Sequence, residues 1–380
     1  MPEKAHGQIC RPRRRSVDAH VACLVWRKGF LHPNPFNSIK MASSFDADEG
    51  IGENRAQSMA FVALDQKAQV ELSILIVSYN TKALTLQALS SLFDHPPPVN
   101  FEVLLLDNAS PDGSFQAIDQ AFPQIKAIDH AVNVGFAAAN NILAQRARGR
   151  RILLLNPDTI SLEASHEELW KFAEAEPARR IWGGRTLFPD LSLNPTSCWR
   201  RVTLWSLFCG AAGFTHLFPK SRLFSPESYG DWQRDSVADV DIVTGCFLLI
   251  DRDLWETLGG FDPAFFMYAE EADLCMRAKA LGANPGISPA AEIVHMGGMS
   301  EPTGADKIVK TVRGRVTLMK KHWNPAAVAL GRMLLLTWSA VRMIGSHVAS
   351  GRRDTPGSAK AKWRTVWDRR REWLAGYAAP

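Results

Sequence analysis

Between residues 72 and 155 the sequence alternates between two hydrophobic periodicities, and this limits the fold more than any other feature. Leu72–Val77 is an apolar run of strand length. Residues 82–92 carry a helical pattern through Leu84, Ala88, Leu89 and Leu92. Phe101–Leu106 is a second run, followed by a loop rich in Asn, Ser, Pro and Gly. Residues 114–121 read as a short helix, 125–129 as a third strand, 136–147 as a helix and Ile152–Leu155 as a fourth strand. Strands apolar along their whole length are buried on both faces, as parallel strands are. Their spacing predicts an α/β fold, with a Rossmann-like, mostly parallel sheet, flanking helices and right-handed crossovers.

Beyond residue 155 the pattern loosens. Residues 189–238 form a long aromatic-rich segment, expected to carry short helices of its own. Ile242–Ile250 reads as a further strand and 268–281 as a helix stopped by Gly282. Residues 1–65 lack periodic hydrophobicity and read as a disordered or mis-annotated extension, leaving 66–323 as the body. Residues 324–380 read as a basic, amphipathic helical tail. No run reaches the roughly 18–20 uninterrupted apolar residues of a bilayer span, because Ala326–Ala349 is broken by Arg332 and Arg342.

Charge follows the same division. Residues 1–40 carry eight Lys/Arg against two Asp/Glu, 41–300 carry 20 against 32, and 301–380 carry 16 against five. An acidic body argues against nucleic acid as a partner. It suits a site for a cation, with a basic tail that either meets anionic lipid of an inner leaflet or packs on the body. The six cysteines lack metal-site or redox spacing, which points to reduced thiols and a cytoplasmic setting.

The chemistry concentrates at strand ends, where open α/β sheets bind ligands. The first strand delivers Ser78 and Asn80, and the second Asp107, Asn108 and Ser110. The third is followed by Asn133, Gly135, Asn140 and Asn141, and the fourth by Asn156 and Asp158. One such loop would be ordinary turn chemistry, but four in succession describe a nucleotide site. Asp107 can accept from the N3–H of uracil or thymine, and Gly135 lets a ligand approach the backbone. No G-x-G-x-x-G follows any strand, which excludes a dinucleotide oxidoreductase.

Two further groups stand out. Asp158 offers a hard oxygen for Mg²⁺ or Mn²⁺, which neutralises a diphosphate leaving group. His295 ends an apolar strand before a Gly-rich turn and is either a structural residue or a ligand for metal or phosphate. Glu270, Glu271 and Asp273 open a helix between aromatic flanks. They are either partners for the helix dipole or crowded acids with raised pKa values, suited to general base catalysis.

The blocks Ile76–Asn80, Asp107–Ser110, Asn133–Phe136, Leu155–Asp158, Thr244–Cys246, Gly259–Asp262, Glu270–Asp273 and His295 together resemble glycosyltransferase family 2. The resemblance covers about 72–323, and the Gly259–Tyr268 block is similar to the rhamnosyltransferase branch. It implies a GT-A fold and inverting, metal-dependent transfer from a dTDP- or UDP-linked sugar, in the first place dTDP-L-rhamnose. The acceptor it implies is a glycan or lipid-linked hydroxyl in cell-surface polysaccharide synthesis. Asp107, with Ser78, Asn80, Asn133, Gly135, Asn140 and Asn156, would hold the nucleotide. Asp158 and His295 would hold the metal, and Glu271 would be the base, with Glu270 and Asp273 beside it. Asn156 stands where many relatives have Asp, and Glu271 where they have a shorter acid. A nucleotide-sugar-binding protein without catalysis is the alternative.

Overall fold

The computed structural model describes residues 69–297, 304–350 and 357–378, so the expected N-terminal extension lies outside the described residues, as do Gly298, Met299 and Ser300. β1 (Leu72–Ser78), β2 (Phe101–Asp107), β3 (Lys126–Asp129) and β4 (Arg151–Leu155) pair in parallel in the order β3-β2-β1-β4. The crossovers are α1 (Lys82–Asp94), α2 (Ser114–Ala121) and α3 (Gly135–Ala144). Both faces of β1 are covered. Ile74 and Ile76 pack with Leu89, Leu92 and Ile118 on one side, and Leu75 and Val77 with Ala139 and Leu143 on the other. Truncating a residue such as Ile74 to Ala would cost about 2–5 kcal/mol through the cavity left behind.

The chain continues through β5 (Thr159–Ser161), α4 (Ser165–Ala175), β6 (Ile181–Leu187), α5 (Leu204–Ala212), β7 (Phe247–Asp251), α6 (Glu270–Ala280) and β8 (Gly286–His295). The sheet runs β3-β2-β1-β4-β7-β6-β8-β5, with β7 antiparallel to both neighbours and β5 antiparallel to β8. The strand expected over 242–250 is split. Residues 242–243 pair with 198–199, and only 247–251 joins the main sheet, because Thr244 turns its hydroxyl to the Thr196 carbonyl. The helix expected over 268–281 starts at Glu270, because Tyr268 and Ala269 adopt left-handed φ angles of 70° and 76°.

α7 (Ala305–His322), α8 (Pro325–Ser350), α9 (Ala359–Asp368) and α10 (Arg370–Ala375) follow. α9 and α10 pack on α7, burying Val366 and Trp373. Among the described residues, the helix over Pro325–Val348 is long and apolar enough to cross a membrane by length and composition alone. It leaves Leu330, Met333, Val341 and Ile344 exposed. The aromatic residues of 205–224 stack mostly on one another, with Trp205 and Phe208 exposed at 42% each.

Candidate active site

Parallel register sets the first part of the site. Because Ser78 pairs with Asp107, the loops after β1 and β2 leave the sheet side by side. The Asn80 N–H donates to Ser110 Oγ (2.9 Å), and the Ser110 N–H donates to Asp107 Oδ1 (2.8 Å). Asp107 is fully buried, and its Oδ2 has no hydrogen-bond partner. Burial pushes its carboxyl up, against the pull of the Ser110 hydrogen bonds. Asn108 ties this loop to the next, donating to Asn133 Oδ1 (3.0 Å) and accepting from the Val134 N–H (2.9 Å). Asn133 Oδ1 also accepts from the Gly135 N–H (3.0 Å). Gly135 has φ +82°, and a Cβ there would lie 2.3 Å from the Phe266 carbonyl oxygen, so glycine is required.

Two anticipated residues turn inward. The Ser78 hydroxyl lies among those of Thr81 and Thr85, at 3.2 and 3.1 Å. The Asn140 amide donates to Phe136 O within α3. Its neighbour Asn141 instead clamps the 259–262 block, accepting from the Phe261 N–H and donating to the Phe261 carbonyl (2.9 and 2.8 Å).

The second part comes from antiparallel register. β5 pairs Thr159 with His295, and the Met296 N–H donates to the Asp158 carbonyl (2.9 Å). Asp158 Oδ1 and His295 Nε2 therefore meet at 3.3 Å. Burial disfavours the imidazolium, yet Cys246 and the Asp158 carboxylate hold its pKa up at about 10. His295 Nδ1 and Asn156 Oδ1 are buried without a hydrogen-bond partner. Among the described residues no three His, Cys, Asp or Glu side chains cluster as a metal cage.

The third part is α6 and the loop before it. Left-handed backbone at a non-glycine residue costs about 1–2 kcal/mol, so Tyr268 and Ala269 hold this shape only because outside contacts impose it. The three acids meet different surroundings. Glu270 is buried, with Oε2 lacking a partner, and burial followed by repulsion from Glu271 raises its pKa well above normal. Glu271 is half-buried and reachable, and burial raises it too, although the N–H groups of Glu271 and Ala269 oppose the shift. Asp273 is fully buried but pairs with His322 Nε2 (2.8 Å), Arg277 Nε (2.7 Å) and Lys321 Nζ (2.9 Å). Burial works to raise it, but these partners hold it below the ordinary carboxylate range. Lys321 also pairs with Asp262.

Lys321, His322 and the Phe266 backbone were not anticipated as site elements. Lys321 and His322 read in the sequence only as part of a basic end. The Phe136 N–H donates to Phe266 O (2.8 Å), which joins the loop after β3 to the acid-bearing loop. Phe136 also lies beside Gly245, next to Cys246, whose carbonyl accepts from the Asn156 N–H (3.2 Å). The three parts are thus contiguous. A cavity of about 460 Å³ is lined by Arg200, Arg201, Tyr229, Asp241 and Lys279 among others, the last from the C-terminal end of α6.

Residues 73–230 match the family model Glycosyl transferase family 2. The chain is 27% identical over 211 residues to an N-acetylglucosaminyl-diphospho-decaprenol L-rhamnosyltransferase of Mycobacterium tuberculosis, covering 51% of this chain and 66% of that protein. It is 29% identical over 171 residues to rhamnosyltransferase WbbL of Escherichia coli, covering 42% and 60%. It is 26% identical over 235 residues to O-antigen biosynthesis protein RfbC of Myxococcus xanthus, covering 59% and 17%. The chain thus spans about two thirds or less of these relatives. Among solved structures it is similar to mannosyltransferase PcManGT from Pyrobaculum calidifontis in complex with GDP-Man and Mn²⁺. That similarity has a TM-score of 0.48 and 16% identity, and covers 83% of this chain and 88% of that one. The matching domain, residues 73–230, begins in β1 and includes the strand ends bearing Asp107 and Asp158, and it is this part of the chain that resembles glycosyl transferase family 2.

Proposed function

We propose that this protein is an inverting, metal-dependent glycosyltransferase. It moves L-rhamnose from dTDP-rhamnose, or failing that a hexose from a UDP-sugar, onto a hydroxyl of a glycan or lipid-linked acceptor. The observation that carries this reading is the division of labour among buried acids. Asp107 has a bare oxygen at the nucleotide-side strand ends, Asp158 meets His295, and Glu271 keeps solvent access within a raised pair. Asp107 accepts a pyrimidine N3–H. Asp158 and His295 hold a divalent cation, which when bound neutralises charge on the departing diphosphate. Glu271 takes the proton of the attacking hydroxyl on the opposite face of the sugar. Glu270 is too enclosed for that role, and Asp273 is occupied by Arg277, Lys321 and His322.

The acceptor side favours a membrane setting. α5 and α8 are joined by the Arg342 Nη1–H donating to the Gly210 carbonyl (3.3 Å). Together they expose Trp205, Phe208, Leu330, Met333, Val341 and Ile344, the last four of them in the basic 301–380 end. Peripheral attachment to an anionic inner leaflet follows from that pairing.

The test is a thermal-shift screen of dTDP- and UDP-sugars with and without Mn²⁺, followed by assay of nucleoside diphosphate release with acceptor. dTDP-rhamnose should stabilise the protein most, and Asp158→Asn should abolish the Mn²⁺-dependent part. Stabilisation by a UDP-hexose alone would overturn the donor assignment. Binding without turnover across acceptors would favour the non-catalytic reading.

A further inference from the structure

The loop before α6 is held by its carbonyls. Phe266 O accepts from the Phe136 N–H (2.8 Å), so α3 grips it from the nucleotide side. Tyr268 O lies against Gly314 of α7, where a Cβ would approach to 2.3 Å. Between these two, Met267 O accepts from the Tyr377 hydroxyl (2.9 Å), which comes from the segment after α10. Three successive carbonyls are thus fixed by three separate elements, and the next residues are Ala269, Glu270 and Glu271.

Tyr377 is itself built in place. It is buried at 8% exposure, and its N–H donates to Thr317 Oγ1 (2.7 Å) on α7. Its ring lies between the Arg313 guanidinium, 4.6 Å from the centroid, and the Phe266 ring at 6.5 Å. Arg313 Nε donates to the Gly376 carbonyl (3.1 Å), and Gly376 has φ +74° with Thr317 Oγ1 2.9 Å from where a Cβ would sit. Trp373 anchors the turn above it, fully buried and donating from its indole N–H to Val366 O (2.9 Å). A phenol placed this firmly, with its one polar atom aimed at the acid loop, does more than fill space.

We propose that Tyr377 is a positioning residue for transfer. Its hydroxyl fixes the Met267 carbonyl and with it the left-handed turn at Tyr268–Ala269 that presents Glu271 to the acceptor. This rests on the reading of Glu271 as the base. The segment that reads in sequence as a basic tail therefore completes the site.

The experiment uses the full chain with Tyr377→Phe, which keeps the ring between Arg313 and Phe266 and removes only the hydroxyl. Thr317→Val, which removes the acceptor of the Tyr377 N–H, serves as a second variant. Turnover should fall roughly 5–30-fold, as loss of one orienting hydrogen bond does. Donor KM should stay within about twofold, since the nucleotide contacts are spared, and the thermal midpoint should stay near that of the parent. In a Glu271→Gln background, Tyr377→Phe should have no further effect on turnover, because the two act as one unit. Parental turnover in Tyr377→Phe, or loss of turnover that only tracks a lowered midpoint, would overturn the positioning role. Full activity in Glu271→Gln would instead remove the base assignment on which it stands, so the two failures are distinguishable.

Discussion

At the residue scale, the chemistry turns on how three acids within four positions are surrounded. Among the described residues Glu270 and Glu271 have no basic partner, and Glu270 feels the charge of Glu271, whereas Asp273 meets His322, Arg277 and Lys321. Burial therefore raises both glutamates, with repulsion from Glu271 added at Glu270, and hydrogen bonds from His322, Arg277 and Lys321 lower Asp273. Asp273 stabilises the fold above its unfolded pKa, and that contribution is lost as pH falls through its lower folded value. For Glu271 the sign reverses. It is protonated higher than an ordinary carboxyl, so the acid limb of the rate profile should lie above the usual carboxylate range. Glu271→Gln should lower turnover about 10²–10⁴-fold with little change in donor affinity. Glu270→Gln should keep most turnover and leave the acid limb near the parent's, since burial rather than Glu270 raises Glu271. Steady-state kinetics against pH checks both. Collapse of Glu270→Gln with a near-normal Glu271→Gln would transfer the role.

At the scale of elements, backbone contacts decide where those acids point. Gly135 illustrates this, because any Cβ there meets the Phe266 carbonyl in addition to the left-handed φ. Gly135→Ala should destabilise the protein by about 2 kcal/mol or more. Unlike Tyr377→Phe, it should raise donor KM as well as lower turnover, since the displaced loop borders both parts of the site. Unchanged KM would show that the nucleotide-side loop moves independently. This also marks what the sequence could reveal. Runs such as Leu72–Val77 announce buried parallel strands, and Asp107 and Asp158 fall at strand ends that follow from them. The meeting of Asp158 with His295 depends on antiparallel pairing between strands more than a hundred residues apart, which no local pattern encodes. The start of α6 escaped for a different reason. Tyr268 and Ala269 have no intrinsic preference for positive φ, so only the tertiary contacts of Phe266, Met267 and Tyr268 reveal that turn. Tyr377 carries no sequence signal beyond an aromatic in a basic segment.

At the scale of the whole molecule, the question is how a chain with an acidic middle and a strongly basic end meets its acceptor. The end has two jobs by the present reading. α9, α10 and Tyr377 pack against α7 and the acid loop, whereas α8 keeps an apolar face outward. Removing residues 325–380 would confound the two, because it strips Tyr377 from the site along with the exposed face. Substitutions on that face separate them. Leu330, Met333 and Ile344 are 41%, 54% and 59% exposed, so changing all three to Ser should leave folding and turnover on a soluble acceptor nearly intact. Burial of each in a membrane interface is worth roughly 1.5–3 kcal/mol when complete, so the triple variant should lose most of its affinity for vesicles. Attraction of the basic segment adds about 1 kcal/mol per Lys or Arg near an anionic surface and fades with salt. The parent protein should therefore float with phosphatidylserine-containing liposomes at low salt and less so at high salt. The triple Ser variant should stay in the soluble fraction at both, while still releasing nucleoside diphosphate. Failure of the parent to float under any of these conditions would leave α8 as a helix whose apolar face serves some other contact.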